Sequence, residues 1–187
     1  SMLYWQKSNF SKSLEYSQKA YAIFKKLKRK RELINALTNM AYVYFYKNNY
    51  TRAEKLFYEQ LSIGNQLGDG HIQGLALDNI GAIYLERGEY ARALKYHKKY
   101  LEIVKRSKNK ASIAEALRGV GNAYTLMGNL KVGLGYYNTM LKMSRELGDK
   151  FTINLALVTI ANALITLGKY KEALIRLIRV KKSADRM

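Results

Sequence analysis

The 187 residues contain no cysteine, no proline, two histidines and one tryptophan. Lacking cysteine, the chain has no disulfide, no thiolate metal site and no sulfur nucleophile. With no proline and with glycines that recur in columns, nothing reads as a flexible linker or a boundary between domains. No apolar run reaches the roughly 18 residues that a membrane-spanning helix needs, and SMLYWQKSNF has no signal-peptide core. The expectation is a cytoplasmic protein with no membrane span. Acidic residues are also scarce: 14 Asp+Glu stand against 33 Lys+Arg, a net charge of +19, which raises nucleic acid or an acidic partner as a hypothesis.

What is present is a period. The stretch Leu75 to Val104, LALDNIGAIYLERGEYARALKYHKKYLEIV, lands on a degenerate copy of itself when slid by 40 residues, and Ala36, Ala76, Ala116 and Ala156 mark the step without insertion or deletion. A fixed period of this size means stacked supersecondary units. Apolar residues at i, i+3, i+4 and i+7 within each unit predict two helices, of about 14 and 17 residues. Gly88, Gly128 and Gly168, with Asn48 in the same column, mark the end of the first helix, where a left-handed residue is wanted. Gly68-Asp69 and Gly148-Asp149 place a terminating glycine before a capping aspartate. Lys108-Asn109 keeps only the cap, and Lys28-Arg29 keeps neither, so the first junction is expected to be the least well defined.

The fold class that follows is all-α: a right-handed α-solenoid of tandem helix-turn-helix repeats. It is read as one domain over 1–187, with a partial repeat at 1–30 and repeats at about 31–69, 70–109, 110–149 and 150–187. The register that gives Tyr44, Tyr84 and Tyr124 puts Tyr4 near the start, so most of the first repeat's first helix is expected to be missing and its second helix to begin near Ser11. Together with Ser1-Met2, which looks like a cloning scar, this suggests a fragment of a larger protein. Small residues at Ala41, Gly81, Gly121 and Ala161, and at Ala53, Ala93, Gly133 and Ala173, are read as columns where helix axes approach. Tyr44, Tyr84, Tyr124 and Leu164, with Tyr50, Tyr90, Leu130 and Tyr170, are read as the bulk between them.

The string NIGAIYLERGEYARALKYH, from Asn79 to His97, resembles a tetratricopeptide repeat (TPR), with Gly81, Tyr84, Gly88, Tyr90 and Ala93 on that family's signature columns. The 40-residue period is longer than the usual 34, and Gly-Asp stands where the family often has proline. In both respects the chain resembles Pins-like spindle-orientation adaptors and bacterial signalling proteins such as Rap-type peptide receptors. The resemblance implies that the first helix of each repeat lines a concave groove. On that implication the peptide-binding candidates are Asn39, Tyr42, Asn79, Leu85, Arg118, Asn122, Thr125, Thr159 and Asn162. Asn39, Asn79, Asn122 and Asn162 would form a ladder of carboxamides suited to a peptide backbone, with a gap at Gly119. Asparagines bonding to neighbouring helices or to water are the alternative reading. With Arg118 the only cation well inside a first helix, the clamp that some relatives use for a terminal carboxylate is rejected.

Nothing in the sequence forms a catalytic or metal-binding constellation, so neither an enzyme nor a cofactor is expected. His97 is read as a half-buried structural residue. The basic run from Lys25 to Arg31 is taken as a solvated turn in preference to a localisation or nucleic-acid patch. The expected function is a protein-interaction scaffold that holds an extended or helical segment in the groove. The alternative is a scaffold associated with nucleic acid or anionic membrane through its basic convex face. Self-association through uncapped ends is expected as well, from Leu3, Tyr4 and Trp5 at one end and Leu174, Leu177 and Ile178 at the other.

Overall fold

Capping chemistry sets the helix phase. The computed structural model describes residues 2–107 and 109–184, and the side chains of 10–107 and 109–181. The described residues form nine helices: α1 (Met2–Lys26), α2 (Lys30–Tyr46), α3 (Tyr50–Leu67), α4 (Gly70–Glu86), α5 (Tyr90–Ser107), α6 (Lys110–Leu126), α7 (Leu130–Leu147), α8 (Lys150–Thr166) and α9 (Tyr170–Ala184). The starts of α2, α4, α6 and α8 are 40 residues apart, as are those of α3, α5, α7 and α9. Asp69 accepts from the amides of His71 and Ile72, Asn109 from Ser112, and Asp149 from Thr152. Each cap satisfies amides that the first helical turn leaves without partners. The first helices span 17 residues, longer than the 14 expected, both in α6 and α8, which are capped, and in α2, which has no side-chain cap.

The turns follow the glycine column. Gly88, Gly128 and Gly168 are left-handed, at φ of 75°, 83° and 73°, and Asn48 takes the same conformation at 57°. Lys28 is also left-handed, at 54°, and Arg29 makes no side-chain cap. The first junction therefore lacks both the glycine and the cap of its counterparts.

The amino end departs from expectation. In place of a turn near Ser8, α1 is one helix of 25 residues. Ser8 stands in the glycine column, and serine takes the left-handed conformation less readily than the glycine or asparagine found there in the other repeats. The aromatic and apolar expectations at Leu3, Tyr4 and Trp5 fall on side chains outside the described residues, as does Lys108.

The chain gathers into two compact units, Ser1–Ile83 and Tyr84–Met187. In unit 1, Leu33, Ile34, Leu37, Met40 and Ile63 form a buried cluster with Leu14, Tyr21, Phe24, Leu56 and Ile72 packed against it. In unit 2, α6 and α7 approach closely where a glycine faces a glycine: a β-carbon on Gly133 would lie 2.9 Å from the Gly121 carbonyl oxygen and 2.2 Å from Thr125 Oγ1. Ala41, Ala53, Ala93 and Ala161 are fully buried, in line with the small-residue columns.

The bulky columns need correction. Tyr84 and Leu164 are buried, Tyr44 and Tyr124 half-buried, and Tyr50, Tyr90 and Leu130 only half-buried. Tyr170 is 67% exposed. Tyr50, Tyr90, Leu130 and Tyr170 each open a second helix, where one side of the residue still faces solvent. The buried bulk of the second helices comes two turns further on, from Phe57, His97 and Tyr137 at 1–2% exposure. Burying an aromatic side chain fully contributes about 1.5–3 kcal/mol. His97 is thus buried outright. Gly119 makes room for it, since a β-carbon there would lie 2.5 Å from His97 Nδ1.

Candidate functional site

On α6 the residues Ala111, Glu115, Arg118, Asn122 and Thr125 recur every three or four positions, as do Phe151, Leu155, Thr159, Asn162 and Thr166 on α8. That spacing places each set on one face of its helix. The two stripes belong to unit 2 and line two successive cavities. The larger, of about 500 Å³, is walled by Asn122, Thr125 and Leu126 of α6 and by Thr159, Asn162, Ala163 and Thr166 of α8. Leu85, Glu86 and Tyr90 close one side and Tyr137 of α7 reaches in. The smaller, of about 350 Å³, lies along the amino-terminal halves of α6 and α8, with Glu115, Arg118, Phe151 and Leu155 around Met140.

Five of the nine candidates, Leu85, Asn122, Thr125, Thr159 and Asn162, therefore line one cavity. Arg118 lines the next. Asn39, Tyr42 and Asn79 belong to unit 1, where Asn39 is exposed and the Tyr42 hydroxyl donates to Asn79 Oδ1 at 3.2 Å. The rungs of the asparagine ladder are accordingly unequal. Asn39 and Asn162 are exposed, whereas Asn79 and Asn122 each accept a tyrosine hydroxyl. The gap expected at Gly119 is closed, because the His97 ring occupies it.

Hydrogen-bond direction sets what the larger cavity offers. Tyr137 donates to Asn122 Oδ1 at 2.8 Å and lies 3.2 Å from Thr125 Oγ1. Burial pushes the Tyr137 phenol above its ordinary range, against the opposing pull of the Thr125 bond and of the nearby Arg118 charge, so it stays protonated at neutral pH. A single phenolic proton committed to Asn122 means that Thr125 donates to the phenol oxygen. The Asn122 oxygen is turned inward, and its amide nitrogen is the group on offer to a ligand. Thr159 and Thr166 donate to the Leu155 and Asn162 carbonyls of their own helix, at 2.8 and 3.1 Å, and present oxygen lone pairs only. Asn162 is exposed and brings both donor and acceptor. The cavity thus alternates donors and acceptors and carries one charge in its lining, on Glu86.

The smaller cavity differs. Phe151 is 78% exposed beside Arg118, and Tyr100 donates to Glu115 Oε2 at 3.2 Å. Tyr137, Phe151, Leu155 and Glu86 were not among the candidates. The signal for the first was its place in the column of Phe57 and His97. For Phe151 and Leu155 it was helical spacing from Thr159 and Asn162. Among the described residues, no group of three His, Asp or Glu is placed to hold a metal, and no helix is long and apolar enough to cross a membrane.

With this geometry in hand, comparison with known proteins is informative about family and fold. The family model described as Tetratricopeptide repeat matches residues 32–106. No curated protein matches the sequence. The crystal structure of BtubC (BKLC) from P. vanneervenii superposes with a TM-score of 0.82 at 16% identity, covering 97% of this chain and 76% of that one. A Rap protein complexed with Competence and Sporulation Factor gives 0.83 at 19% identity, over 98% of this chain and 51% of that one. The STAND protein with a tetratricopeptide repeat sensor from Pyrococcus horikoshii gives 0.82 at 21% identity, over 97% and 29%. Identities this low speak for the fold alone. Residues 32–106 thus match the tetratricopeptide-repeat family, and the 40-residue helical phase of that stretch continues through α6–α9.

Proposed function

We propose that the chain is a non-enzymatic scaffold that binds an extended segment of another protein along α6 and α8. The observation that carries this reading is the larger cavity, where donors and acceptors alternate with little charge and apolar Leu85, Leu126 and Ala163 stand between them. A peptide backbone asks for that alternation. Helices packed side by side lie about 8–10 Å apart and an extended chain advances about 3.3 Å per residue, so Asn122 and Asn162 would meet backbone groups about three residues apart. The Rap structure, which holds Competence and Sporulation Factor, supports this use of the fold. In the smaller cavity, Arg118 would add one cationic contact, for an acidic group of the ligand, and Phe151 one apolar contact.

The test uses peptides selected from a random library on the wild-type chain. Asn162→Ala with Thr159→Ala should weaken them about tenfold, since two hydrogen bonds at about 0.5–1.5 kcal/mol each approach the 1.4 kcal/mol of one decade. Thermal stability should hardly change, because Asn162 is exposed and Thr159 bonds only its own helix. Failure to select any peptide, or undiminished binding by the double variant, would remove the reading.

A further inference from the structure

We propose a second binding surface, distinct from the groove: the outer face of α5, which takes the phosphate backbone of double-stranded nucleic acid through sequence-independent contacts. Unit 2, residues 84–187, carries 21 Lys+Arg against 8 Asp+Glu, a net +13. Within it α5 is the most one-sided helix. Arg92, Lys95, Lys98, Lys99, Lys105 and Arg106 are all exposed, with Glu102 as the one acid of the helix. The corresponding helix α7 carries Lys131, Lys142 and Arg145 against Glu146, and α3 carries Arg52 and Lys55 against Glu54 and Glu59. From Arg92 to Arg106 the charges extend over about 21 Å at 1.5 Å per residue.

Three features select the ligand. No large hydrophobic side chain of α5 is exposed among the described residues. Protein hot spots are built on buried aromatic and other anchor side chains, and helices lying on a membrane insert Trp, Phe or Leu; this face offers neither. Secondly, its aromatic rings are already in use. Tyr84 stacks on Tyr96 and Tyr124 on Tyr136, at centroid distances of 5.3 and 5.6 Å. Arg92 lies over Tyr84 at 4.2 Å, Lys98 over Tyr124 at 5.5 Å and Lys99 over Tyr96 at 6.0 Å. Rings covered in this way are poor platforms for the base stacking that single-strand binders use. Thirdly, the same contacts hold the cationic heads in place and lower the ordering cost of binding. What remains is a band of exposed cations, three of them held over rings, with Arg92 paired to Glu89 and with Glu102 between Lys99 and Arg106. It is matched best by the densest regular anion, a duplex with one charge per about 1.7 Å of axis.

The experiment follows fluorescence anisotropy of a labelled duplex DNA of mixed sequence with the full chain over a salt series. If five cations each neutralise one phosphate, log Kobs should fall against log salt with a slope of magnitude about 4.5, or about 0.9 per contact. The variant Lys95→Gln, Lys99→Gln, Lys105→Gln, Arg106→Gln should lower that magnitude to about 1. A charge-matched control, Lys131→Gln, Lys142→Gln, Arg145→Gln, Lys171→Gln, should retain most of it. Circular dichroism checks the fold, and the single changes Lys95→Gln and Lys105→Gln should each remove about 0.9, so the idea remains testable if the quadruple variant does not fold. Absence of salt-sensitive duplex binding would overturn the proposal, as would a control that loses as much as the α5 variant. It would also be overturned by tighter α5-dependent binding to phosphatidylserine vesicles, to single strands or to polyglutamate.

Discussion

Replacing Gly119 by alanine should destabilise the protein, although alanine is the better helix former. Gly119 lies inside α6, where the exchange alone would be worth about 1 kcal/mol in favour of alanine. Against this, the new β-carbon would sit 2.5 Å from His97 Nδ1 and 2.9 Å from Cγ and Cε1. The obstacle is a ring at 2% exposure, which cannot swing into solvent as a lysine would. Overpacking of this kind costs about 1–3 kcal/mol, so the net change lies between zero and a loss of about 2 kcal/mol. Gly135 in α7 has nothing within 4 Å of its would-be β-carbon, and Gly135→Ala should stabilise by about 0.5–1 kcal/mol. Urea unfolding monitored by circular dichroism would show opposite shifts in midpoint at unchanged slope. The decisive measurement is the double-mutant cycle. In a His97→Ala background the clash is gone, so Gly119→Ala should become stabilising, with a coupling energy above about 1 kcal/mol. A coupling near zero, or a Gly119→Ala variant more stable than wild type, would refute the fit of this ring to this glycine.

Other consequences concern the turns and caps. Lys28 holds a left-handed φ of 54° at a cost of about 1 kcal/mol for a residue with a β-carbon, so Lys28→Gly should raise the thermal midpoint by about 2–4 °C; an unchanged or lower midpoint would contradict this. The Asp149 carboxyl is held below the ordinary aspartate range, chiefly by the Thr152 hydroxyl and then by the Thr152 amide. A depressed folded-state pKa means that this stabilisation is complete above about pH 4 and is lost as pH falls through the folded value. Asp149→Asn keeps a good cap and removes the titration. Stability at neutral pH should stay within about 1 kcal/mol of wild type while the acid limb of the stability profile becomes shallower, and an unchanged acid limb would count against the assignment.

The features legible in the sequence are those in which one residue answers to its own backbone. Gly88, Gly128, Gly168 and Asn48 could be placed because a left-handed φ restricts the residue type whatever lies around it, and Asp69, Asn109 and Asp149 because a cap reaches only to its own next turn. Pairwise fits were harder to see. His97 and Gly119 are 22 positions apart, and the glycine read as a gap in the groove because the ring that fills it lies on another helix. Asn122 read as free to meet a ligand because its bond partner, Tyr137, lies 15 positions away. Yet the period itself relates such pairs. A residue of the column Phe57, His97, Tyr137 meets positions in the columns Tyr42–Asn122 and Asn79–Gly119–Thr159 of its own or the following repeat. In unit 1 Tyr42 meets both Phe57, at 5.8 Å between rings, and Asn79. In unit 2 His97 displaces any side chain at 119, and Tyr137 takes Asn122 as its acceptor and shares a cavity with Thr159. Interiors are close-packed, so the size of one member limits the others. The three columns must vary together, and a groove residue in a helical-repeat chain of this period can be judged accessible only after the ring packed against it from the neighbouring helix has been given its space.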